Sequence, residues 1–261
     1  MDNITKLQSN PFSLSLSGGG ALGFAHLGVL EDLEEKNLVP SEILGTSMGG
    51  IIGALYAIGL DSNEIIKIVS EFGSITKWMK FSFSGNAIID TKRIENIFEM
   101  IFKDKKIKDT KIPLKIIATD FESSSKRVFD KNDNIKIIDA LLATMAIPGI
   151  FKEHIINNKI YVDGFLCENL PILEASKEII LAVDVLGKNS FETTLPNNLF
   201  KTFNIFEMFE KSMRSLIYNQ TRCNLKLIQK DIILIEPDTK KFNTYDFHKL
   251  KDIRKYGLGL L

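Results

Sequence analysis

Strands alternating with helices, a glycine cluster between the first such pair, and an apolar run at 179–185 predict an α/β protein with a mostly parallel sheet. The length of 261 residues suits one large domain spanning 1–261, with a core that needs no disulfide or metal staples.

The elements follow in order. Phe12, Leu14 and Leu16 alternate with Ser13, Ser15 and Ser17, a period of two that marks a strand. After Gly18-Gly19-Gly20, Leu22, Ala25, Val29 and Leu33 share one face of a helix, which Asn37 and Pro40 end. Ile43-Leu44 is a short strand leading into Gly45-Thr46-Ser47-Met48-Gly49, and an apolar helix runs from Gly50 to Ile58. Residues 61–72 form a helix capped by Asp61 or Ser62. Residues 73–90, with Trp78, Met79, Phe81 and Phe83 at no clear period, read as a loop or lid. Helix 91–103 and a solvated Lys-rich loop precede strands at 114–118 and 127–129. Helix 137–145 stops at Pro148-Gly149, and Asn157-Asn158 joins two short strands in a hairpin. The apolar strand at 179–185, a long helix at 203–227 and a last strand at 232–235 complete the pattern. Phe200, Phe203, Phe206, Phe209 and Met213 follow helical spacing and read as that helix's buried face.

Composition narrows the function. Lys plus Arg equals Asp plus Glu at 33 each, so the chain lacks the basic footprint of a nucleic-acid binder. Cys167 and Cys223 make neither a disulfide framework nor a four-Cys zinc site, and they suggest a reduced compartment. His26, His154 and His248 leave few ligands for a metal and few candidate bases. No signal-peptide pattern and no long apolar run is present, so a cytoplasmic protein is expected.

Two motifs carry chemistry. In Gly18-Gly19-Gly20-Ala21-Leu22-Gly23, a tight turn and a helix N-terminus gather N–H groups toward one point, an anion or oxyanion site. The same spacing matches a dinucleotide fingerprint, but the second strand ends in Gly45-Thr46-Ser47 instead of an acid. The absence of a following Gly-Lys-Ser/Thr argues against a phosphate-binding P-loop. Gly45-Thr46-Ser47-Met48-Gly49 fits the G-x-S-x-G elbow in its proper strand–turn–helix setting, which exposes Ser47 as a nucleophile. Gly45 and Gly49 are small because that turn brings backbones together. None of the three His has a local signature of a triad base.

Tyr161-Val162-Asp163-Gly164 adds an acid at a strand end, and the chain then resembles the patatin-like phospholipases. The three marks are the glycine-rich loop, the serine elbow and Asp163-Gly164-Phe165, all within residues 12–171. Ala143–Phe151 and Asn169-Leu170-Pro171 resemble the family's flanking segments. The resemblance implies a three-layer fold related to, yet distinct from, the α/β-hydrolase fold. It implies a serine lipid acyl hydrolase with Ser47 as nucleophile, Asp163 as base and the Gly18, Gly19 and Gly20 N–H groups as oxyanion hole. Gly23, Gly45, Gly49 and Gly164 would support these motifs, and no metal or cofactor is required. The expected partner is phospholipid or another acyl-ester lipid, met by transient peripheral contact with a membrane. A conventional Ser-His-Asp esterase is one alternative, and a catalytically weakened lipid-binding or regulatory protein is another. Two departures motivate the latter: Leu22 stands where the family often has a cation, and Phe165 stands where it has Gly or Ala. Cys167, in the same loop, reads as a packing residue.

Overall fold

The computed structural model describes residues 2–74, 92–191 and 201–261, with side chains left out at 73–74, 201–207 and 209. The lid expected at 73–90 and most of the aromatic face expected at 200–209 lie outside the described residues and side chains.

Asp2 opens the fold with a cap that hydrophobic periodicity does not reveal. Its Oδ1 accepts the Thr5 N–H at 2.8 Å and starts helix α1 (Asn3–Ser9). Strand β1 (Phe12–Leu16) follows, and the glycine cluster leads into a 3₁₀ turn (Gly20–Phe24) before helix α2 (Ala25–Glu35). Then come β2 (Glu42–Thr46), α3 (Met48–Ala57) and α4 (Ser62–Ser70). Asp61 is the cap of α4, in a reciprocal box with Glu64. The chain continues with α5 (Lys92–Phe102), β3 (Leu114–Asp120), β4 (Ser125–Phe129) and α6 (Ile137–Thr144). The hairpin of β5 (His154–Ile156) and β6 (Lys159–Asp163) turns through Asn157 and Asn158, both at positive φ. Strand β7 (Ile179–Val183), α7 (Lys201–Leu227), β8 (Asp231–Ile235) and α8 (Leu250–Lys255) complete it.

The fold is α/β, as expected, with a central, mostly parallel sheet flanked by helices. Strands β3, β2, β1, β7 and β8 are parallel neighbours, while β4 and β6 pair antiparallel with β3, and β5 with β6. Both faces of β1 are buried, so its Ser residues do not face solvent. Leu14, Leu16, Ile43, Ile116 and Leu181 point into the larger core with the helices, and Leu44, Ile180 and Ala182 into a smaller one with Leu170 and Ile172. On that second side Ser13 Oγ donates to Glu42 Oε1 at 2.6 Å, and Ser17 Oγ accepts the Val185 N–H at 3.0 Å.

One pairing detail positions the site. Ala118 pairs with Arg127 of β4 and with Asp163 of β6, so those strands occupy opposite edges of β3. Ile116 pairs with Phe129 of β4 and with Gly45 of β2, which puts β2 opposite β4 as well. Strands β2 and β6 therefore share one edge of β3 and run toward each other. Thr46 ends one against Ile117, and Asp163 ends the other against Ala118.

Candidate active site

Both strands must leave the sheet where they meet. After β2 the chain turns at Ser47, with φ 52° and ψ −124°, a conformation uncommon for a residue with a Cβ. Two anchors hold the turn. The Ser47 N–H donates to Thr144 Oγ1 at 2.8 Å, and the Thr144 hydroxyl donates onward to the Ile117 carbonyl. Small residues are obligatory beneath it: a Cβ on Gly49 would stand 2.3 Å from the Leu16 carbonyl oxygen, and one on Gly45 2.5 Å from that of Gly49. Helix α3 thus starts at Ser47, with its N-terminal N–H groups and positive dipole end beside the hydroxyl.

After β6 the chain turns at Gly164 into a 3₁₀ turn (Gly164–Leu166). A Cβ on Gly164 would lie 2.3 Å from the Ile117 carbonyl oxygen, so this is the position that must stay small. Phe165 next to it is only half-buried, and its N–H donates to Asp163 Oδ1 at 3.0 Å.

Asp163 is fully buried. Its N–H donates to the Ala146 carbonyl at 3.0 Å, and its carbonyl accepts from Thr119 Oγ1 at 3.0 Å. Loss of water around the carboxyl pushes its pKa up to about 7, against the lowering effects of the Ser47 hydroxyl and the Phe165 N–H. The Ser47 hydroxyl is thus within electrostatic reach, yet no partner meets normal hydrogen-bond geometry at Oδ2.

The glycine loop lies against the same corner. A Cβ on Gly18 would sit 3.1 Å from Ser47 Cβ. The Gly18 N–H is already used, donating to the Asn169 carbonyl at 3.1 Å. Among the described residues the N–H groups of Gly19 and Gly20 have no acceptor. Gly20 takes φ +56°, and the Ala21 N–H donates to the Thr244 carbonyl at 2.8 Å, which pins the loop from outside. Gly23 packs against the Met48 side chain. Leu22 is wholly buried and brings no charge to the turn.

The three His stand elsewhere. His26 is fully enclosed, and its Nε2–H donates to the Ser17 carbonyl at 2.8 Å. Burial drops its pKa to about 4, so it is a neutral strut under the glycine loop. Helical spacing sets it one position off an apolar stripe; α2 is in fact buried over most of its surface. His154 Nε2 lies 3.1 Å from Asp139 Oδ1, and His248 is exposed. Among the described residues neither Ser47 nor Asp163 has a hydrogen bond to any of them. The described residues also hold no group of three or more His, Cys, Asp or Glu suited to a metal ion. A cavity of ≈ 450 Å³ lies along Leu142, Met145, Ala146 and Phe151 with Lys92, Glu95 and His154 also on its wall, and neither Ser47 nor Asp163 lines it.

A family model described as patatin-like phospholipase matches residues 14–176, more than half of the chain. The chain belongs to the patatin-like phospholipase family. This patatin-like chain is 26% identical over 274 residues to lysophospholipase NTE1 of Kluyveromyces lactis, an alignment covering 96% of this chain and 19% of that protein. It is 28% identical over 182 residues to an uncharacterized NTE family protein of Mycobacterium bovis, covering 68% of this chain and 50% of that one. It therefore spans from about a fifth to half of the length of these curated relatives. Among solved structures, VipD from Legionella pneumophila matches with a TM-score of 0.51 at 13% identity, covering 94% of this chain and 67% of that one, a likeness of fold. No helix among the described residues is long and apolar enough to cross a membrane.

Proposed function

We propose that this patatin-like chain is a serine lipid acyl hydrolase acting on the carboxylic esters of phospholipids or lysophospholipids. The observation that carries the reading is the head-on meeting of β2 and β6, which sets Ser47 at a strained turn beside the buried carboxyl of Asp163. Ser47 Oγ attacks the acyl carbonyl carbon while Asp163 takes the hydroxyl proton. The carbonyl oxygen becomes an oxyanion held by the free N–H groups of the glycine loop, narrowed to Gly19 and Gly20 because that of Gly18 is engaged. Collapse breaks the ester C–O bond, Asp163 returns the proton to the departing alcohol, and an acyl group remains on Ser47. Water then attacks, Asp163 takes its proton, and fatty acid leaves as Ser47 is reprotonated.

An ordinary aspartate is a weak base. Burial brings Asp163 close to neutrality, where a base is most effective near pH 7. In this reading residues 1–261 act as one domain, and the lipid is met by transient contact with a membrane surface. The names of the NTE relatives favour lysophospholipid among the candidate esters.

The test is labelling of Ser47 by a fluorophosphonate, followed by release of fatty acid from phospholipid and lysophospholipid dispersions. Wild type should label and turn over, while Ser47→Ala and Asp163→Asn should do neither. Labelling without turnover would favour a weakened, lipid-binding member of the family.

A further inference from the structure

Asn169 holds the glycine loop with both its main chain and its side chain. Its carbonyl accepts the Gly18 N–H at 3.1 Å, and its Nδ2 donates to the Gly18 carbonyl at 3.2 Å. Both main-chain polar groups of Gly18 thus end on one residue. The Asn169 N–H donates in turn to Gln220 Oε1 at 3.1 Å, and Gln220 Nε2 donates to the Leu166 carbonyl at 3.3 Å. A side chain of α7 therefore bridges the two ends of the segment that follows Asp163.

Asn169 is almost wholly buried, and its Oδ1 has no partner. That oxygen lies 2.6 Å from where a Cβ on Gly18 would stand, and Ser47 Cβ lies 3.1 Å from the same point. A buried acceptor left unbonded is costly, and an apolar residue of similar size would avoid the cost. The amide is explained by its donor end, the bond to Gly18. The geometry is also directional. With both groups of Gly18 tied, the peptides of Gly19 and Gly20 lose the freedom that a glycine run otherwise has.

We infer that Asn169 is a positioning residue for the hydrolysis proposed above: it fixes Gly18 so that the Gly19 and Gly20 N–H groups stay aimed at the developing oxyanion, and Gln220 ties this restraint to α7. The inference rests on that functional reading and adds a residue to it. A displaced oxyanion donor weakens binding of the transition state more than that of the substrate.

The experiment uses the full chain as wild type, Asn169→Ala, Asn169→Asp, Gln220→Ala and Gln220→Glu, with Ser47→Ala as blank. Steady-state hydrolysis of a medium-chain p-nitrophenyl ester gives kcat and KM. An alkyl trifluoromethyl ketone, which adds the Ser47 hydroxyl to form a hemiketal, reports oxyanion binding. Thermal unfolding reports the fold. Asn169→Ala should lower kcat by about ten- to a hundredfold with KM changed by less than about twofold, and weaken the ketone by the same factor as kcat/KM. Asn169→Asp should be at least as severe, since an oxygen then faces the Gly18 carbonyl. Gln220→Ala should lower kcat less, and Gln220→Glu, which keeps the acceptor for the Asn169 N–H but sets an oxygen against the Leu166 carbonyl, should recover only part of it. A folded Asn169→Ala with wild-type kcat and ketone affinity overturns the inference, as does a change confined to KM. If both Asn169 variants fail to fold, wild-type kcat in Gln220→Ala overturns it instead. If wild type neither turns over the ester nor binds the ketone, the functional reading itself falls. If wild type does both, an unaltered Asn169→Ala overturns the role of Asn169 alone.

Discussion

Thr46 and Asp163 pair with consecutive residues of one strand, Ile117 and Ala118, from the same edge. Ser47, one residue beyond Thr46, and Asp163, at the tip of the opposing strand, are thereby held by main-chain hydrogen bonds of a sheet. Neither a flexible loop nor an intervening imidazole is needed to bring them together.

The strain at Ser47 separates function from stability. Ser47→Ala and Ser47→Gly should both lose ester hydrolysis by about a thousandfold or more. Glycine, however, accepts φ 52° without penalty. The Gly variant should be more stable than the Ala variant by about 1 kcal/mol in denaturant unfolding. Equal stabilities would show that the turn stores no strain.

Activity should follow the ionisation of Asp163. Its folded pKa is pushed up to about 7, and in the proposed mechanism it takes the Ser47 proton only when ionised. kcat/KM should therefore rise with pH through a midpoint of about 7 and level off above it. His154→Ala and His248→Ala should leave that midpoint where it is. A midpoint that disappears in either variant would point to a histidine base.

Stability should run the other way. Asp163 and Asp184 are both fully buried, and burial raises each to about 7. The native state therefore holds protons that the unfolded chain, near 3.8, has released. The contribution is present below the unfolded pKa and is lost as pH rises through the folded one. Together the two aspartates should lower the unfolding free energy between about pH 4 and pH 8, most clearly above about pH 6.5, because below that His26, kept neutral by burial with a pKa of about 4, works against them. Asp184→Asn should flatten the slope while leaving the activity midpoint in place, read by urea unfolding at a series of pH values. An unchanged slope in that variant would exclude Asp184 as a source.

The Asp-Gly-Phe loop makes a sharp contrast between neighbours. Gly164→Ala puts a methyl against the Ile117 carbonyl and should abolish activity with a clear loss of stability. Phe165→Ala keeps the N–H that reaches Asp163 and should retain turnover within about threefold. A severe loss in Phe165→Ala, with the fold intact, would mean that the ring itself shapes the acyl site.

Much of this architecture is legible in the sequence because it is written locally. The Ser alternation of β1, the Asp61 cap, the Asn157-Asn158 turn and both glycine-bearing motifs each declare themselves within a few residues. Helices α1 and α8 are too short to show a period, and only the Asp2 cap flags the first. The meeting of β2 and β6 depends on which edge of β3 each strand chooses, a choice made by remote pairing. The engagement of the Gly18 N–H is equally hidden, because its acceptor lies on Asn169, far along the chain. The Asn-Leu-Pro segment stands out in the sequence, but nothing local tells what its Asn holds. His26 sits one position off the apolar stripe of α2, and helical spacing alone does not reveal that the helix is enclosed on most sides.

The hydrogen bond from the Ala21 N–H to the Thr244 carbonyl also has a meaning in time. A chain emerges from the ribosome from its N-terminus, so the glycine loop and Ser47 exist long before residue 244 has been made. Until that late segment docks, the bond to Thr244 is missing from the outer side of the loop, and an early nascent chain carries Ser47 beside an unfinished glycine loop. Completion of the site waits for synthesis to pass Thr244, so the proposed hydrolysis becomes possible only after every strand around Ser47 has been made.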